Sequence, residues 1–295
     1  MMPHQLNWQE ICQMIPKRKA DAQKGDFGRL LCITGSRNMP GACLLSTQAA
    51  LRGGAGLVTV ATAPENPMRL AAAAPEAMWL PLETDEAGFL RSSDQNRKTL
   101  EKQLSRANAV LLGCGLGVTE ETRRLVHWVL EQAVCPVVLD ADGLNCAVSC
   151  IELSRRTGKD WILTPHPGEM ARLTGHSIPQ IQENRVETAT QFAAAYPVTL
   201  ALKGAGTLVA QRSRLAQNPT GNPGMSRGGS GDVLAGLIAA FAAQGIPSWE
   251  AACAGVYLHG LAGDAAAAAL SQQAMLPRDL LVYLPQVLVK LEQER

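Results

Sequence analysis

The chain has 295 residues, and its 27 lysines and arginines are balanced by 26 aspartates and glutamates. This balance, without a basic block, argues against nucleic acid or an anionic membrane as a partner and favours small molecules. The apolar runs are shorter than the roughly 20 residues that span a bilayer, and residues 1–10 are polar rather than signal-like. We therefore expect a soluble, cytoplasmic protein with one large domain over residues 1–295.

The eight cysteines are scattered along the chain and form no C-x-x-C pair. This distribution is typical of reduced thiols in a protein core. Cys146 and Cys150 could face one another on a helix, but no histidine follows at the spacing of a zinc site. The sequence therefore predicts no metal-ligating residues of this kind.

Seven apolar runs have the length of β-strands, and they are continuous rather than alternating. Such runs are typical of strands that are buried on both faces of a sheet. The predicted strands are Leu30–Thr34, Leu57–Ala61, Ala109–Gly113, Pro136–Asp140, Trp161–Thr164, Val198–Leu202 and Thr207–Ala210.

Helical segments separate most of these strands, at Ala42–Arg52, Thr119–Gln132, Pro167–Thr174 and Asn184–Ala195. The alternation predicts a three-layer α/β/α fold with a mainly parallel central sheet. A C-terminal layer on one face is expected from helices at about Gly231–Gln244, Trp249–Leu270 and Pro277–Glu292. The alanine tracts 71–74 and 265–269 also favour helix, and the polar stretch 84–102 is expected to be a solvated excursion or an exposed helix.

Ligands of open parallel sheets bind beyond the carboxyl ends of the strands, so the segments after the strands are candidate sites. Segment 35–42 either cradles a polar ligand or is a plain turn, and the glycines of 113–117 resemble a dinucleotide turn only weakly. Asp140 and Asp142 offer carboxylates where ligands and hydrated Mg²⁺ are often held, although one of them could instead cap a helix.

Two further segments of this kind carry a histidine and a lysine. Prolines on both sides restrict His166, which is either a hydrogen-bond partner for a polar substrate or a cap for the helix of Glu169. Lys203 with its glycines suits a nucleotide phosphate, or forms a hairpin with a solvated lysine. The chain's one Gly-Lys pair, Gly158-Lys159, precedes Asp160, so the sequence contains no P-loop motif.

The most informative stretch is residues 221–236, where glycines and one carboxylate stand directly before an apolar helical run. Unpaired N–H groups at a helix start bind anions, and glycines let a phosphate approach closely. The predicted anion hole consists of Gly228, Gly229, Ser230 and Gly231. Asp232 would repel a phosphate there, so we interpret it as a catalytic base that takes a proton from an attacking hydroxyl. The alternative is a first-turn carboxylate that the helix dipole favours.

Six segments together resemble the nucleotide-dependent NAD(P)H-hydrate dehydratase family of the ribokinase-like superfamily. They are residues 24–28, 115–117, 140–145, 164–169, 203–207 and 222–236. The resemblance covers about residues 15–290 and leaves 1–14 as a terminal extension. Segments 164–169 and 222–232 are specific to this family. Ser226-Arg227 departs from the Ala-Thr of many relatives, beside an otherwise intact anion hole.

The resemblance implies repair of hydrated NADH or NADPH by ADP-dependent dehydration, with Mg²⁺ and release of AMP and phosphate. It implies that Asp232 is catalytic and that the hydrate is bound by Ala42, Gly115, Gly117, His166 and Asp232. It implies that ADP is bound by Lys203, Gly204, Ala205, Gly206, Thr207 and Gly231. It also implies a homo-oligomer, such as a tetramer, and a functional link to an NAD(P)H-hydrate epimerase, a domain that many relatives carry and this sequence does not show.

Three other functions compete with this interpretation. An ATP-dependent kinase of the same superfamily, acting on a vitamin precursor or sugar alcohol, would use the same anion hole and base. A nucleotide-binding regulatory protein would bind without turnover. An NAD-dependent oxidoreductase is disfavoured, because no strand–G-x-G-x-x-G–helix unit with a downstream acid occurs in the right context.

Overall fold

The computed structural model describes residues 2–157 and 160–294, so Gly158 and Lys159 lie outside the described residues. The strands in this part of the chain are β1 His4–Gln5, β2 Arg29–Ile33, β3 Leu57–Thr62, β4 Met78–Pro81, β5 Ala109–Leu112, β6 Val137–Leu139, β7 Trp161–Leu163, β8 Val198–Leu202, β9 Leu208–Gln211 and β10 Arg214–Gln217.

The helices of the described chain alternate with these strands. They are α1 Trp8–Met14, α2 Pro40–Arg52, α3 Asn66–Leu70, α4 Asp94–Leu104, α5 Glu120–Gln132, α6 Asp142–Ala147, α7 Leu153–Thr157, α8 Pro167–Thr174, α9 Ile178–Glu183, α10 Arg185–Ala195, α11 Ser230–Ala243, α12 Ser248–Leu270 and α13 Pro277–Glu294. Short 3₁₀ turns lie at Lys24–Phe27, Val148–Cys150 and Pro223–Met225. No helix of this part of the chain combines the length and the apolar character that a bilayer crossing requires.

All the strands belong to one sheet, in the order β1-β10-β9-β8-β7-β6-β5-β2-β3-β4. Neighbouring strands from β8 through to β4 run parallel, and β9 runs antiparallel to both β8 and β10. The carboxyl ends of β5, β6, β7 and β8 therefore meet along one rim. The hairpin of β9 and β10 leaves that rim at Leu208 and returns the chain to it after Gln217.

Helices cover both faces of the sheet, which confirms the predicted α/β architecture. One face packs against α1, α2, α11, α12 and α13, and the other against α4, α5, α6, α8, α9 and α10. Helix α11 lies almost wholly inside the first layer. It approaches α2 closely because Gly236 has no side chain, and a Cβ there would lie 2.2 Å from the Ser46 carbonyl oxygen.

The seven predicted strands are all present, within one residue at either end, and the seven predicted helices within two. The prediction was wrong for alanines 71–74, which form turns after α3 rather than a helix. The polar stretch 84–102 begins with an antiparallel bridge between Thr84 and Leu90 and continues into α4, whose Leu100 is buried. Strands β1, β4 and β10 were not predicted.

The first residues of the described chain are packed on the rest. Strand β1 pairs in parallel with β10, and the Ile11 side chain of α1 is buried in the core. Asn7 begins α1 with a capping box, in which its side chain accepts from the Glu10 N–H and the Glu10 side chain accepts from the Asn7 N–H. Helix α1 thereby contributes to the same layer as α12.

Candidate active site

A cleft of about 750 Å³ lies at the rim where β6, β7 and β8 end and α11 begins. Residues 203–207, 218–223 and 225–232 form most of its wall, and the other lining residues include Asp140, His166, Glu169 and His259. The structure thus brings together the predicted nucleotide segment and the predicted anion hole. They belong to one concave site, as is typical of ligand sites in α/β sheets.

The start of α11 leaves backbone donors free on the cleft side. Gly229 stands before the first helical residue with φ 105°, a conformation that favours glycine, and no side chain caps this helix. The Ser230 N–H donates to the Arg227 carbonyl, whereas no acceptor within the described residues binds the N–H groups of Gly231 and Asp232. Free N–H groups at the positive end of a helix dipole can bind a phosphate.

Asp232 lies in the first turn of α11 and is mostly buried. Burial, together with the negative charge of Asp140, raises the pKa of Asp232 to about 6, although a hydrogen bond from Cys114 and the charge of Lys203 oppose the shift. A carboxylate with a pKa near neutrality is suited to accept a proton and later release it. The arrangement is therefore compatible with a general base beside an anion site.

Lys203 lies between two buried carboxylates at the bottom of the cleft. Its Nζ is 2.6 Å from Asp140 Oδ1 and 3.8 Å from Glu169 Oε2. Burial alone would lower the pKa of Lys203, but Asp140 and Glu169 outweigh burial and raise it. Lys203 is thus a fixed, charged ammonium rather than the solvated lysine of the hairpin alternative. Burial also raises the pKa of Glu169 to about 7, with Lys203 partly opposing it.

The carboxylate of Asp140 is held in place from several sides. The Thr164 hydroxyl donates to Oδ1 at 2.7 Å, next to the Lys203 contact, and the Cys114 thiol lies 3.8 Å from Oδ2. A Cβ at Gly231 would approach both Lys203 Nζ, at 3.2 Å, and Asp140 Oδ2, at 3.8 Å. The glycine therefore lets the start of α11 lie directly against this ion pair.

Cys114 is a site residue that the sequence did not single out. Its Sγ and one oxygen each of Asp140 and Asp232 lie within 4.8 Å of one another. Burial and the two aspartates raise the pKa of Cys114, so the group is a thiol that can donate to a carboxylate. Its place between two glycines in a loop on the rim was the one signal that could have indicated it.

His166 performs the capping role that the sequence left open. Its Nδ1 accepts from the Gly168 N–H at 2.9 Å, and its own backbone N–H donates to Glu169 Oε2 at 2.8 Å. The ring is half exposed and also lines the cleft. Burial and the nearby charges of Lys203 and Arg172 lower the pKa of His166, so the imidazole is neutral.

The other residues that the resemblance assigns to the hydrate lie beside the cleft rather than in its wall. Gly115 and Ala42 are neighbours, since a Cβ on Gly115 would lie 2.9 Å from the Ala42 Cβ. The Gly117 N–H donates to Asp142 Oδ2 at 2.8 Å, so Asp142 supports this loop. Cys114, which precedes Gly115, connects the loop to the aspartates of the cleft.

A long buried helix, α12, forms the back of the site, and its contribution was not predicted. Its Asp264 accepts hydrogen bonds from the Gly221 N–H and the Asn222 side chain, both at 2.9 Å. Its His259 Nε2 lies 3.0 Å from the Ser230 carbonyl oxygen. Buried polar residues inside an apolar helix could have been a signal, but the sequence does not show which loop they face.

Comparison with known proteins agrees with this geometry. The family model described as NAD(P)H-hydrate dehydratase matches residues 30–286, which is most of the chain and includes every element of the cleft. The chain belongs to the NAD(P)H-hydrate dehydratase family.

Two curated relatives illustrate this dehydratase family. The bifunctional NAD(P)H-hydrate repair enzyme of Moorella thermoacetica is 43% identical over 95% of this chain and 53% of its own length. The ADP-dependent (S)-NAD(P)H-hydrate dehydratase of Neisseria meningitidis serogroup B is 38% identical over 84% of this chain and 80% of its own length. The chain spans about half the length of the bifunctional relatives that it matches.

A solved structure of the dehydratase family has the same architecture. It is the ADP/ATP-dependent NAD(P)H-hydrate dehydratase of Bacillus subtilis, which was co-crystallised with ATP and Mg²⁺. The TM-score is 0.84 at 30% identity, with 99% of this chain and 100% of that chain covered. This similarity confirms the three-layer, ribokinase-like fold that the resemblance implied.

Proposed function

We propose that this protein repairs hydrated NADH and NADPH by ADP-dependent dehydration of the (S)-hydrate, giving AMP and phosphate. The observation that carries the proposal is the start of α11, where the mostly buried carboxylate of Asp232 stands beside free N–H groups. A base next to a phosphate site is what phosphoryl transfer to a hydroxyl requires. Membership of the dehydratase family supports the choice of substrate.

The reaction has two steps in this proposal. Asp232 removes the proton of the ring hydroxyl, whose oxygen bonds to the terminal phosphorus of ADP while the bond from that phosphorus to AMP breaks. The electron pair of the ring nitrogen then expels phosphate from the carbon, and the adjacent carbon gives its proton to water, which restores the double bond. The N–H groups of Gly231 and Asp232 would stabilise the charge that develops on the transferred group.

The nucleotide would lie along residues 203–207, with Gly231 at its terminal phosphate. Lys203 provides a permanently charged ammonium that Asp140 and Glu169 hold in place. The hydrate would contact Ala42, Gly115, Gly117 and His166 on the other side of Asp232. This assignment is supported by the loop of Cys114, which reaches from Gly115 to the two aspartates.

Mg²⁺ would bind beside the phosphates, and Asp140 fits as its protein ligand. Lys203 and Thr164 bind Asp140 Oδ1, while Oδ2 lies toward the start of α11. Carboxylate oxygen is the donor type that Mg²⁺ prefers, usually together with water and substrate phosphates. When bound, Mg²⁺ would neutralise phosphate charge.

The decisive experiment mixes the purified protein with hydrated NADH, Mg²⁺ and either ADP or ATP, and follows the absorbance of reduced nicotinamide. Return of NADH with ADP, together with release of AMP and phosphate, is the expected result. Recovery of NADH with ATP alone would show that the protein catalyses the same dehydration with ATP, not ADP, as the phosphoryl donor. No recovery with either nucleotide, from a folded protein that binds nucleotide, would contradict the proposal and favour the kinase or the regulatory protein.

Three features of its cellular setting are also proposed. We infer action in the cytoplasm, in keeping with cysteine side chains that are buried in the core at seven of their eight positions. We infer a homo-oligomer, such as a tetramer, because Val282 and Val289 expose apolar surface on the same face of α13. A functional link to an NAD(P)H-hydrate epimerase is supported by the bifunctional repair enzymes among the relatives. Light scattering after gel filtration tests the second inference, and a monomer would contradict it.

A further inference from the structure

A buried histidine of α12 contacts the helix start that carries the anion hole. His259 is 8% exposed, and its Nε2 lies 3.0 Å from the Ser230 carbonyl oxygen. A carbonyl oxygen can only accept, so Nε2 carries the proton in this contact. Burial lowers the pKa of His259 to about 4, which keeps the ring neutral. The tautomer and the orientation of His259 are thereby fixed.

The residue at the other end of this contact has a hydroxyl without a partner. Ser230 is 7% exposed and lines the cleft, and its Oγ makes no hydrogen bond within the described residues. A buried, unpaired hydroxyl is costly unless a ligand uses it. It lies in the same helical turn as the free N–H groups of Gly231 and Asp232. These three donors can converge on one anion.

Helix α12 also holds the opposite wall of the cleft, at residues 220–222. It therefore supports both this wall and the start of α11. Asp264 accepts from the Gly221 N–H and from the Asn222 amide, both at 2.9 Å. Gly260 permits a close approach to Thr220, because a Cβ on Gly260 would lie 2.0 Å from the Thr220 hydroxyl oxygen. His259 is the residue through which this support reaches α11.

We propose that His259 is a positioning residue for the terminal phosphate of a nucleoside diphosphate. Its contact with the Ser230 carbonyl holds the first turn of α11 so that the Ser230 hydroxyl and the free N–H groups bind that phosphate. The site therefore distinguishes ADP from AMP, which lacks this phosphate. The inference rests on the proposed function for the location of the nucleotide and its terminal phosphate, and it deepens that function by assigning the residue that holds the phosphate site in place.

The test compares the affinities of the 295-residue chain for ADP and for AMP, measured by calorimetry with Mg²⁺. His259→Met removes the donor, and the preference for ADP over AMP is expected to fall by roughly tenfold, the value of one hydrogen bond. AMP affinity is expected to stay the same. His259→Gln places an amide N–H near the position of Nε2 and should retain the preference.

Two further variants keep the test decisive. Cys253→Ala, at another buried position of α12 outside the cleft, controls for a general loss of packing and should keep the preference. If His259→Met does not fold, Ser230→Ala removes the hydroxyl alone and should also lower the preference. An unchanged preference in His259→Met or Ser230→Ala would overturn the inference, as would equal weakening of ADP and AMP. These binding measurements need no turnover, so a failure of the proposed dehydration would be seen separately.

Discussion

Helices α5 and α11 have nearly the same length, 13 and 14 residues, but their N-termini are built differently. In α5 the Thr119 hydroxyl accepts from the Thr122 N–H at 3.1 Å, and the Thr122 hydroxyl accepts from the Thr119 N–H at 2.8 Å. In α11 the corresponding position is Gly229, which has no side chain to offer. One helix start is closed by its own residues, and the other is open toward a cleft.

The difference shows that the start of α5 contributes to stability, whereas the start of α11 is built to bind a ligand. An unsatisfied N–H group near a buried helix end costs stability, so a capped helix is the more stable arrangement. Helix α11 forgoes that cap, and its burial on α2 and α12 compensates for the loss. The first N–H groups of α11 therefore stay available to a ligand, whereas in α5 the Thr119 side chain occupies such a donor.

The largest expected effect is on the open helix start. Asp232→Asn removes the base, and we expect kcat to fall by roughly 10²–10⁴-fold while ADP affinity changes little. Steady-state kinetics with hydrated NADH and calorimetry with ADP measure the two quantities. Asp94→Asn is the matched control, because Asp94 is also a first-turn carboxylate but lies on α4. Full activity in Asp232→Asn would remove the assignment of the base.

The next effect concerns the buried ion pair that supports the open start. Lys203→Ala leaves Asp140 and Glu169 buried without their cation, which should lower the free energy of unfolding by about 3–5 kcal/mol. ADP binding should also weaken. Urea unfolding and calorimetry test both expectations, and adding Glu169→Gln should restore part of the stability. An unchanged ADP affinity would show that the nucleotide binds away from Lys203.

The pH dependence of the reaction tests whether Asp232, at the open start of α11, is the base. The pKa of Asp232 is about 6, and the base must be ionised to accept a proton. We therefore expect kcat/KM to fall about tenfold for each pH unit below about 6 and to level off above it. Circular dichroism over the same range checks that the fold persists. A flat profile from pH 5 to 7 would argue against Asp232 as the base.

A smaller effect is expected at the closed helix start. Thr119→Ala removes the side-chain cap of α5 and should lower the free energy of unfolding by about 1 kcal/mol. Activity should not change, because Thr119 lies outside the cleft wall. Thr119→Ser keeps the hydroxyl and should restore the stability, as measured by urea unfolding. A loss of activity in Thr119→Ala would show that the two helix starts are coupled.

The smallest effect is expected on the exposed face of α5. Arg124 pairs with Glu120 at 3.1 Å, but both side chains are more than half exposed to solvent. Such a pair is worth at most about 0.5 kcal/mol, so Arg124→Ala should leave the unfolding midpoint almost unchanged. A loss as large as that of Lys203→Ala would contradict the view that burial distinguishes the two ion pairs.

The central strands were predictable because they are continuous apolar runs. Strands β1, β4 and β10 were not, since each of them includes exposed residues and none is a continuous buried apolar run. The antiparallel direction of β9 follows from the turn at residues 203–207, where the structure has the glycine hairpin that the sequence left open as an alternative. The next turn, from β9 to β10 at Arg212 with φ 52°, is not marked by a glycine.

The site was predictable only in part, because its contacts join distant parts of the chain. The glycines before Asp232 indicated an anion site from local sequence alone. The contact between Lys203 and Asp140 spans 63 residues and depends on the order of β6, β7 and β8 in the sheet. His259 lies inside a mainly apolar helix, and its partner, the Ser230 carbonyl oxygen, could be found only from the packing of α12 on α11.

The antiparallel hairpin of β9 and β10 has a consequence for protein engineering. Both of its ends face the cleft, so its connecting turn at Arg212 and Ser213 lies at the far edge of the sheet and is exposed. Exposed turns distant from a site tolerate inserted residues. An affinity tag or a fluorophore placed there would immobilise or report on the protein with its cleft directed away from the attachment point.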